Sequence, residues 1–383
     1  MRISKHDWVY KKMGDTRFFK VIMGQSPPSN TYNENEHDLP FFQGKADFGN
    51  MFPTPRKFCT NPSRFAEKDD VLISVRAPVG PTNLANQKCC IGRGLAAIRS
   101  TELVLPRFLL YALRSIENDI AESVRDQGGG FTAIKKDQLK AIEIPVPPLS
   151  KQNRIVTQIE ELIFRAEEAR KISAEREEEL DTFQQAVYSG MISDVDWKPL
   201  NQVATLVRRT ISTKPDEKYE EMGIRSFGKG TFSKPILSGQ QVGNKRIYRI
   251  HEGDLVFNNV FAWEGAIAVA QKEDHGRVGS HRFITYVAHE GKATSEFLCH
   301  HFLSERGIED IRAASPGSAG RNRTLGLRKL EMIKVPSPDY KEQQRFAELA
   351  KRRRAIHRES VIVAEEFKIY LASIIAKALR GEL

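Results

Sequence analysis

Lys140-Ala-Ile-Glu-Ile-Pro145-Val-Pro-Pro148 returns later in the chain as Glu331-Met-Ile-Lys-Val-Pro336-Ser-Pro338-Asp339, at an offset of 191 residues. The same offset carries Gln152-Asn-Arg154-Ile155 onto Gln343-Gln-Arg345-Phe346, Leu139 onto Leu330 and Gly190 onto Gly381. Between about 139 and 192 the second copy therefore needs no insertion or deletion. Upstream the offset drifts, as loops allow. Asp70-Val-Leu-Ile73 answers Asp254-Leu-Val-Phe257 (184), Gly92 answers Gly279 (187), and Phe108-Leu-Leu110 answers Phe297-Leu-Cys299 (189). Trp8 is paired with Trp197 (189), each preceded by Asp. The 383 residues are thus one unit of about 190 written twice, with a variable front and a rigidly spaced back.

The fronts, 1–150 and 193–340, hold short apolar runs such as Val71-Leu-Ile-Ser-Val75, Leu255-Val-Phe257 and Phe283-Ile-Thr-Tyr-Val287, punctuated by Gly, Pro and Asn. They read as strands of a mixed α+β domain, with helices over Phe108–Asn118 and Ser295–Ile311. The backs differ. Pro147-Pro148 stops any earlier element, Ser150 suits an N-cap, and neither Lys151–Gly190 nor Lys341–Gly381 contains Pro or an internal Gly. Each back reads as one long helix, ~60 Å if unbroken.

Both long helices carry an a/d seam. The first reads Ile155, Ile159, Leu162, Ala166, Ala169, Ser173, Arg176, Leu180, Phe183, Val187. The second reads Phe346, Ala350, Arg353, His357, Ser360, Ala364, Phe367, Leu371, Ile374, Ala378. Parallel packing in register sets Arg176 on Phe367 and Arg353 on Leu162. Antiparallel packing about the centres sets Ser173 on Ser360, Arg176 on His357, Leu162 on Leu371 and Val187 on Phe346, leaving Arg353 against Leu180 as the mismatch. An unpaired charge against an apolar group is costly, so the antiparallel arrangement is preferred. It implies a pseudo-twofold object, which matches the pseudo-twofold symmetry of a DNA backbone.

Composition adds little by itself. The net charge is +10, and no apolar run approaches the ~18 residues of a membrane span. The first residues lack a signal peptide's apolar core. Four cysteines without framework spacing suggest a reduced, cytoplasmic protein. The charge is uneven: 1–150 carries +5, 151–190 carries −3, 191–340 carries +4 and 341–383 carries +4. The fronts favour a polyanion, and the acidic first helix favours a protein surface.

Catalytic constellations fail one by one. Gly223-Ile-Arg-Ser-Phe-Gly-Lys-Gly230 nearly matches a phosphate-binding loop, but Gly230 stands where Ser or Thr should meet magnesium. Gly128-Gly-Gly130 lacks dinucleotide-site context. Asp339 with Glu366 and Lys368 mimics a nuclease pattern, but Glu366 and Lys368 are two residues apart on a helix and face different sides. His289, Cys299, His300 and His301 lack the spacing of a zinc site, so no metal site is expected.

DNA readout needs Arg, Lys, Asn and Gln at base edges and basic groups on phosphates. The candidates in the first front are Gln43, Lys45, Arg76, Arg93, Gly129, Gly130, Thr132, Lys135 and Lys136. In the second they are Arg225, Lys229, Lys245, Arg246, Asn258, His281, Arg282, Arg321, Asn322 and Arg323. Each alone is equally well a solvated surface side chain. Two loops recur at matching places, Gly128–Lys136 before Leu139 and Ser318–Arg328 before Leu330.

The chain resembles the DNA-specificity (S) subunit of type I restriction-modification systems. The resemblance rests on Ile144-Pro-Val-Pro-Pro-Leu149 followed by Gln152, Arg154 and Ile155. It rests also on Ala186-Val-Tyr-Ser-Gly190, echoed by Lys377-Ala-Leu-Arg-Gly381, and on the doubling of the whole unit. It implies two α/β target recognition domains (1–150 and 193–340), each reading half of a bipartite DNA sequence. Two long helices (151–192 and 341–383) separate them, acting as a ruler and as the docking surface for two adenine-methyltransferase subunits, and through these for restriction subunits. Leu149, Gln152, Arg154, Gln343 and Arg345 are the implied docking residues. S-adenosylmethionine, ATP and magnesium would belong to the partners, leaving this chain non-catalytic and without a cofactor or membrane contact. The second copy departs in having Ser337 and Asp339 where the first has Val146 and Pro148. A coiled-coil scaffold, or a nuclease with an unfamiliar site, are the alternatives. Inserting four residues beside Ser173 would shift one front by ~6 Å and rotate it by ~40°. The preferred half-site spacing should change with it, and an unchanged spacing would count against a ruler.

Overall fold

The computed structural model describes residues 8–125, 133–317, 323–379 and 382. The chain divides into two compact units, Met1–Ile172 with Val361–Leu383, and Ser173–Ser360. The division differs from a reading of fronts and helices as separate segments, because each long helix contributes one half to each unit. Among the described residues, no helix is long and apolar enough to cross a membrane.

In the first unit the strands Phe19–Met23, Leu95–Ser100, Val71–Ser74 and Thr82–Leu84 lie in that order, all antiparallel. The helix Pro106–Ser115 covers this sheet with Phe108 to Leu113 all buried. Five shorter strands, including Leu39–Phe42, Phe58–Cys59 and Cys89–Ile91, make a second sheet. Cys59, Cys89 and Cys90 are free and buried, and burial pushes the Cys89 and Cys90 thiols up to about 12. In the second unit Ala204–Val207, Phe283–Ala288, Leu255–Asn258 and Ile267–Val269 form a sheet of the same strand order and direction. Thr294 caps the covering helix Ser295–Leu303 through the Phe297 N–H. A three-stranded sheet of Thr210–Ile211, Ile247–Arg249 and Val278–Ser280 flanks it.

The repeat extends to individual atoms. Asp70 and Asp254 open equivalent strands, both essentially buried. Each accepts a backbone N–H from three residues upstream, Glu67 and His251. Each also receives a two-pronged arginine, Arg99 at 2.8 and 2.9 Å and Arg209 at 2.6 and 3.1 Å. Short ribbons close both fronts, Tyr10–Lys12 on Glu143–Pro145 and Trp197–Pro199 on Lys334–Pro336. Their registers set Tyr10 opposite Pro145 and Trp197 opposite Pro336. Tyr10, rather than Trp8, is therefore the counterpart of Trp197.

The long helices run Leu149–Met191 and Tyr340–Leu379. In the first unit Ile155, Val156 and Ile159 share a core with Ala378 and Leu379. In the second, Tyr188 and Phe346 share one with Phe297. Within each unit, then, the start of one helix packs with the end of the other. Contacts in the second unit give the same antiparallel sense. Arg176 donates to Ser360 Oγ (3.0 Å), His357 pairs with Glu177 (3.1 Å), and Arg353 meets Asp181 and Gln184. Arg176 thus meets Ser360 where His357 was expected, and Asp181 resolves the expected Arg353 mismatch. The seam also turns. Phe183 is 56% exposed while Gln184 is buried, because the row Leu180–Gln184–Tyr188 rotates toward the front's own helix at His300 and Phe297.

One interaction ties front to helix in both copies. Gln152 is fully buried. Its Nε2 donates to Leu103 O (3.0 Å) and Pro147 O (2.8 Å), and its Oε1 accepts from Leu105 N (2.8 Å). Gln343, also fully buried, donates to Lys292 O (3.1 Å) and Pro338 O (2.9 Å) and accepts from Thr294 N (3.2 Å). The amide is the right group because it donates and accepts at one end of a short side chain. Gln152→Ala or Gln343→Ala would orphan three backbone groups, each worth about 1–3 kcal/mol when buried. Each variant should lose about 3 kcal/mol or more by chemical denaturation, and a loss under about 0.5 kcal/mol would contradict the clamp.

The second unit has a titratable counterpart to this packing. Tyr188 Oη lies 2.7 Å from His301 Nδ1, with the Trp197 ring 5.5 Å from that imidazole. Burial, then the charges of Arg306 and His300, pushes His301 down to about 3. Burial, then Arg353, pushes His300 down to about 4, with Asp181 opposing. The equivalent positions of the first unit are Tyr111 and Ala112. Both imidazoles are neutral when folded and take up protons on unfolding below about pH 6.5. The second unit's stability should therefore be complete above that pH and fall as pH drops toward 4. Denaturant midpoints followed by tryptophan fluorescence should show this slope, and His300→Gln with His301→Gln should flatten it. A wild-type profile that is already flat over this range would contradict it.

Candidate nucleic-acid interface

The first front gathers its candidates at one end of the four-stranded sheet. Where Val71–Ser74 ends, Val75 N donates to Gly94 O at 2.9 Å. Gly94 lies so close to Gln43 that a Cβ would sit 2.1 Å from Gln43 O, so only glycine fits. Ser26 Oγ accepts from the Arg93 N–H (3.2 Å). Val75 O accepts from Ile134 N at 3.0 Å, and Arg76 bridges Ala133. These contacts bring Gln43, Arg76, Arg93 and the Lys135–Lys136 flank of the glycine loop together. All of these side chains, and Lys45, are exposed. The nearby Asp47 carboxylate is taken by Arg56 (2.7 Å) and by Gln43 N (2.9 Å), so it does not cancel the cations.

The second front repeats the arrangement with different residues. Where Leu255–Asn258 ends, Asn259 N donates to Arg282 O (2.8 Å), and Asn259 O accepts from Leu325 N (3.0 Å). These bonds match those of Val75. They set Asn258, Arg282 and the Arg323 flank of the second loop at the same sheet end. Arg323 lies over the Trp263 ring at 5.1 Å, and its Nε donates to Gly317 O. The register of Ile247 opposite Ser280 carries exposed Lys245 and Arg246 toward exposed His281. The Arg225–Gly230 loop joins through Phe227 N to Glu264 O (2.8 Å) and Gly228 N to Gly265 O (2.9 Å). Arg225 is partly spent at home, donating to Thr231 O and lying over Phe232, while Lys229 is exposed. The candidates Gly129, Gly130, Thr132, Arg321 and Asn322 lie outside the described residues.

Other sequence candidates resolve differently. Gln152 and Gln343, expected on a docking surface, are closed inside their own units with their amides fully used, so no partner reaches them. Leu149 is 40% exposed, and Arg154 and Arg345 are exposed. Asp339 Oδ1 accepts from Lys341 N and Glu342 N, capping the second long helix. Gly223 lies in a hairpin, Met222–Ile224 on Thr231–Ser233, rather than at a strand-to-helix phosphate loop. His289 bonds Thr205, while His300 and His301 both pack on the Tyr188 ring. Two aromatic features are not evident from the sequence: Trp263, half-buried beneath Arg323, and the exposed Phe227 ring. Phe227 left a signal in the sequence, an aromatic between Arg225 and Gly228-Lys229, whereas Trp263 has no basic residue beside it.

Residues 5–176 match the type I restriction modification DNA specificity domain. The chain is 44% identical over 155 residues to the putative type I restriction enzyme MjaX specificity subunit of Methanocaldococcus jannaschii, covering 40% of this chain and 36% of that protein's length. It is 22% identical over 377 residues to the type I restriction enzyme EcoKI specificity subunit of Escherichia coli, covering 89% of this chain and 80% of that one. Among solved structures, a type I restriction-modification S subunit from M. genitalium shares the fold along the whole chain. The TM-score is 0.51 at 14% identity, covering 100% of this chain and 97% of that one.

Proposed function

We propose that this chain, a specificity subunit of the type I restriction-modification family, reads duplex DNA as two half-sites, one for each unit. The observation that carries the reading is the pair of equivalent anchors, Ile134 on Val75 and Leu325 on Asn259. They hold the described C-terminal flanks of the two loops at the same end of two like sheets, while the side chains presented there differ. A fixed backbone with different edge residues is what two different half-sites require. Lys45, Lys135, Lys136 and Lys229 suit phosphate as point charges. Gln43, Arg76, Arg93, Asn258 and Arg282 have the forked or amide donors that match base edges.

On this reading the chain does no chemistry itself. It presents the site to two adenine-methyltransferase subunits, and restriction subunits join through them. S-adenosylmethionine, ATP and magnesium act on those partners. Exposed Arg154 and Arg345, one turn into each long helix and 191 residues apart, suit equivalent contacts with two equivalent partners. The nuclease alternative loses its best carboxylate, because Asp339 is committed to capping a helix.

Exchanging residues 193–340 for the corresponding front of another such chain should change one half of the methylated motif and leave the other intact. A wholly unchanged or wholly new motif would overturn the reading. Lys135→Ala with Lys136→Ala should weaken binding across sequences and lower the log–log salt slope by about 2. Arg154→Glu or Arg345→Glu should weaken methyltransferase binding at unchanged helicity by circular dichroism. Lost helicity would assign them a structural role instead.

A further inference from the structure

Phe227 is out of place as a structural residue. Its φ is +61°, a conformation that favours glycine and costs a bulky side chain energy. The ring is nevertheless 74% exposed and belongs to none of the apolar clusters among the described residues. The Lys229 ammonium lies 5.9 Å from the ring centre. The backbone holds this conformation firmly. Phe227 N and Gly228 N donate to Glu264 O and Gly265 O, Arg225 N donates to Gly230 O, and Gly228 and Gly230 also have positive φ. The Leu303 side chain comes close to Gly228, where an added Cβ would meet it at 2.9 Å. A glycine at 227 would satisfy the same turn without strain, so folding gives no reason for a phenylalanine there. Strain held by its surroundings is characteristic of functional sites.

The surroundings indicate what the ring meets. The loop carries Arg225 and Lys229 and is bonded to the short helix Ala262–Glu264, whose Trp263 lies under Arg323. An apolar ring among cations at the proposed DNA surface is the arrangement proteins use to wedge between or stack on bases, with phosphates held on either side. We infer that Phe227 stacks on a base of the second half-site and opens one base step there. This rests on the two-half-site reading and adds to it a contact made through a base's face rather than its edge.

Full-length chain, with no other subunit, should be titrated into duplexes carrying its methylated motif, with 2-aminopurine placed in turn along the second half-site. Wild type should raise 2-aminopurine fluorescence at one step. Phe227→Ala should abolish that rise and bind about 5- to 150-fold more weakly, with the salt slope unchanged, while Phe227→Trp should retain both. Phe227→Gly should denature at no lower midpoint than wild type while binding as weakly as the alanine variant, which separates stacking from folding. The inference is overturned if Phe227→Ala binds and unstacks like wild type, or if wild type unstacks no step in the half-site. Wild-type binding without sequence preference would remove the half-site reading beneath it.

Discussion

The clamp made by one buried glutamine amide underlies the rest of the structure. A front domain carried on a long helix needs a defined angle to it, and van der Waals packing alone leaves room for sliding. Gln152 removes that freedom by bonding two strands of backbone, one from the loop before the front's helix and one from the proline turn. Gln343 repeats the same three bonds in the second copy. The equal spacing from the proline turn to the glutamine in the two copies follows from this. Inserting a residue between Pro147 and Gln152 would carry the amide around the helix and away from all three partners.

Forward of the clamp, the two copies keep the backbone and change the side chains. The strand order, the buried aspartate at the start of an inner strand and the bond that anchors the loop all recur. The details that differ are instructive. Asp70 takes its arginine from Leu95–Ser100, whereas Asp254 takes its own from just beyond Ala204–Val207, so the buried charge is constant while the donor's strand is not. At the sheet end, Arg76, Arg93 and Lys135 in one front give way to Val260, His281 and Gly326 at or near matching places in the other. On the proposed reading this is how one fold holds two specificities.

Much of the fold was legible because it was written twice. Offsets of 191 located both helices, and the polar middle of the seams gave their antiparallel sense. What stayed hidden depended on three-dimensional neighbours. Gln152 and Gln343 look like surface residues in a polar first helical turn; that they are buried depends on where residues 103–105 and 292–294 pass. Trp8 matched Trp197 by residue type, whereas the ladder aligns Tyr10. Phe183 looked like a seam residue until the front's helix drew Gln184 inward. The candidate site was half legible. Basic residues in loops were visible, but their convergence on one sheet end was not, and the strained φ of Phe227 leaves no trace in composition.

On the proposed reading this chain chooses where a partner methylates adenine, through two half-sites. Single-molecule methylome sequencing of a host with and without this chain tests it most directly. The expected result is the loss, without the chain, of N6-methyladenine at one motif made of two short specific halves around an unspecified spacer. An unchanged methylome, or loss at a single contiguous motif, would contradict it.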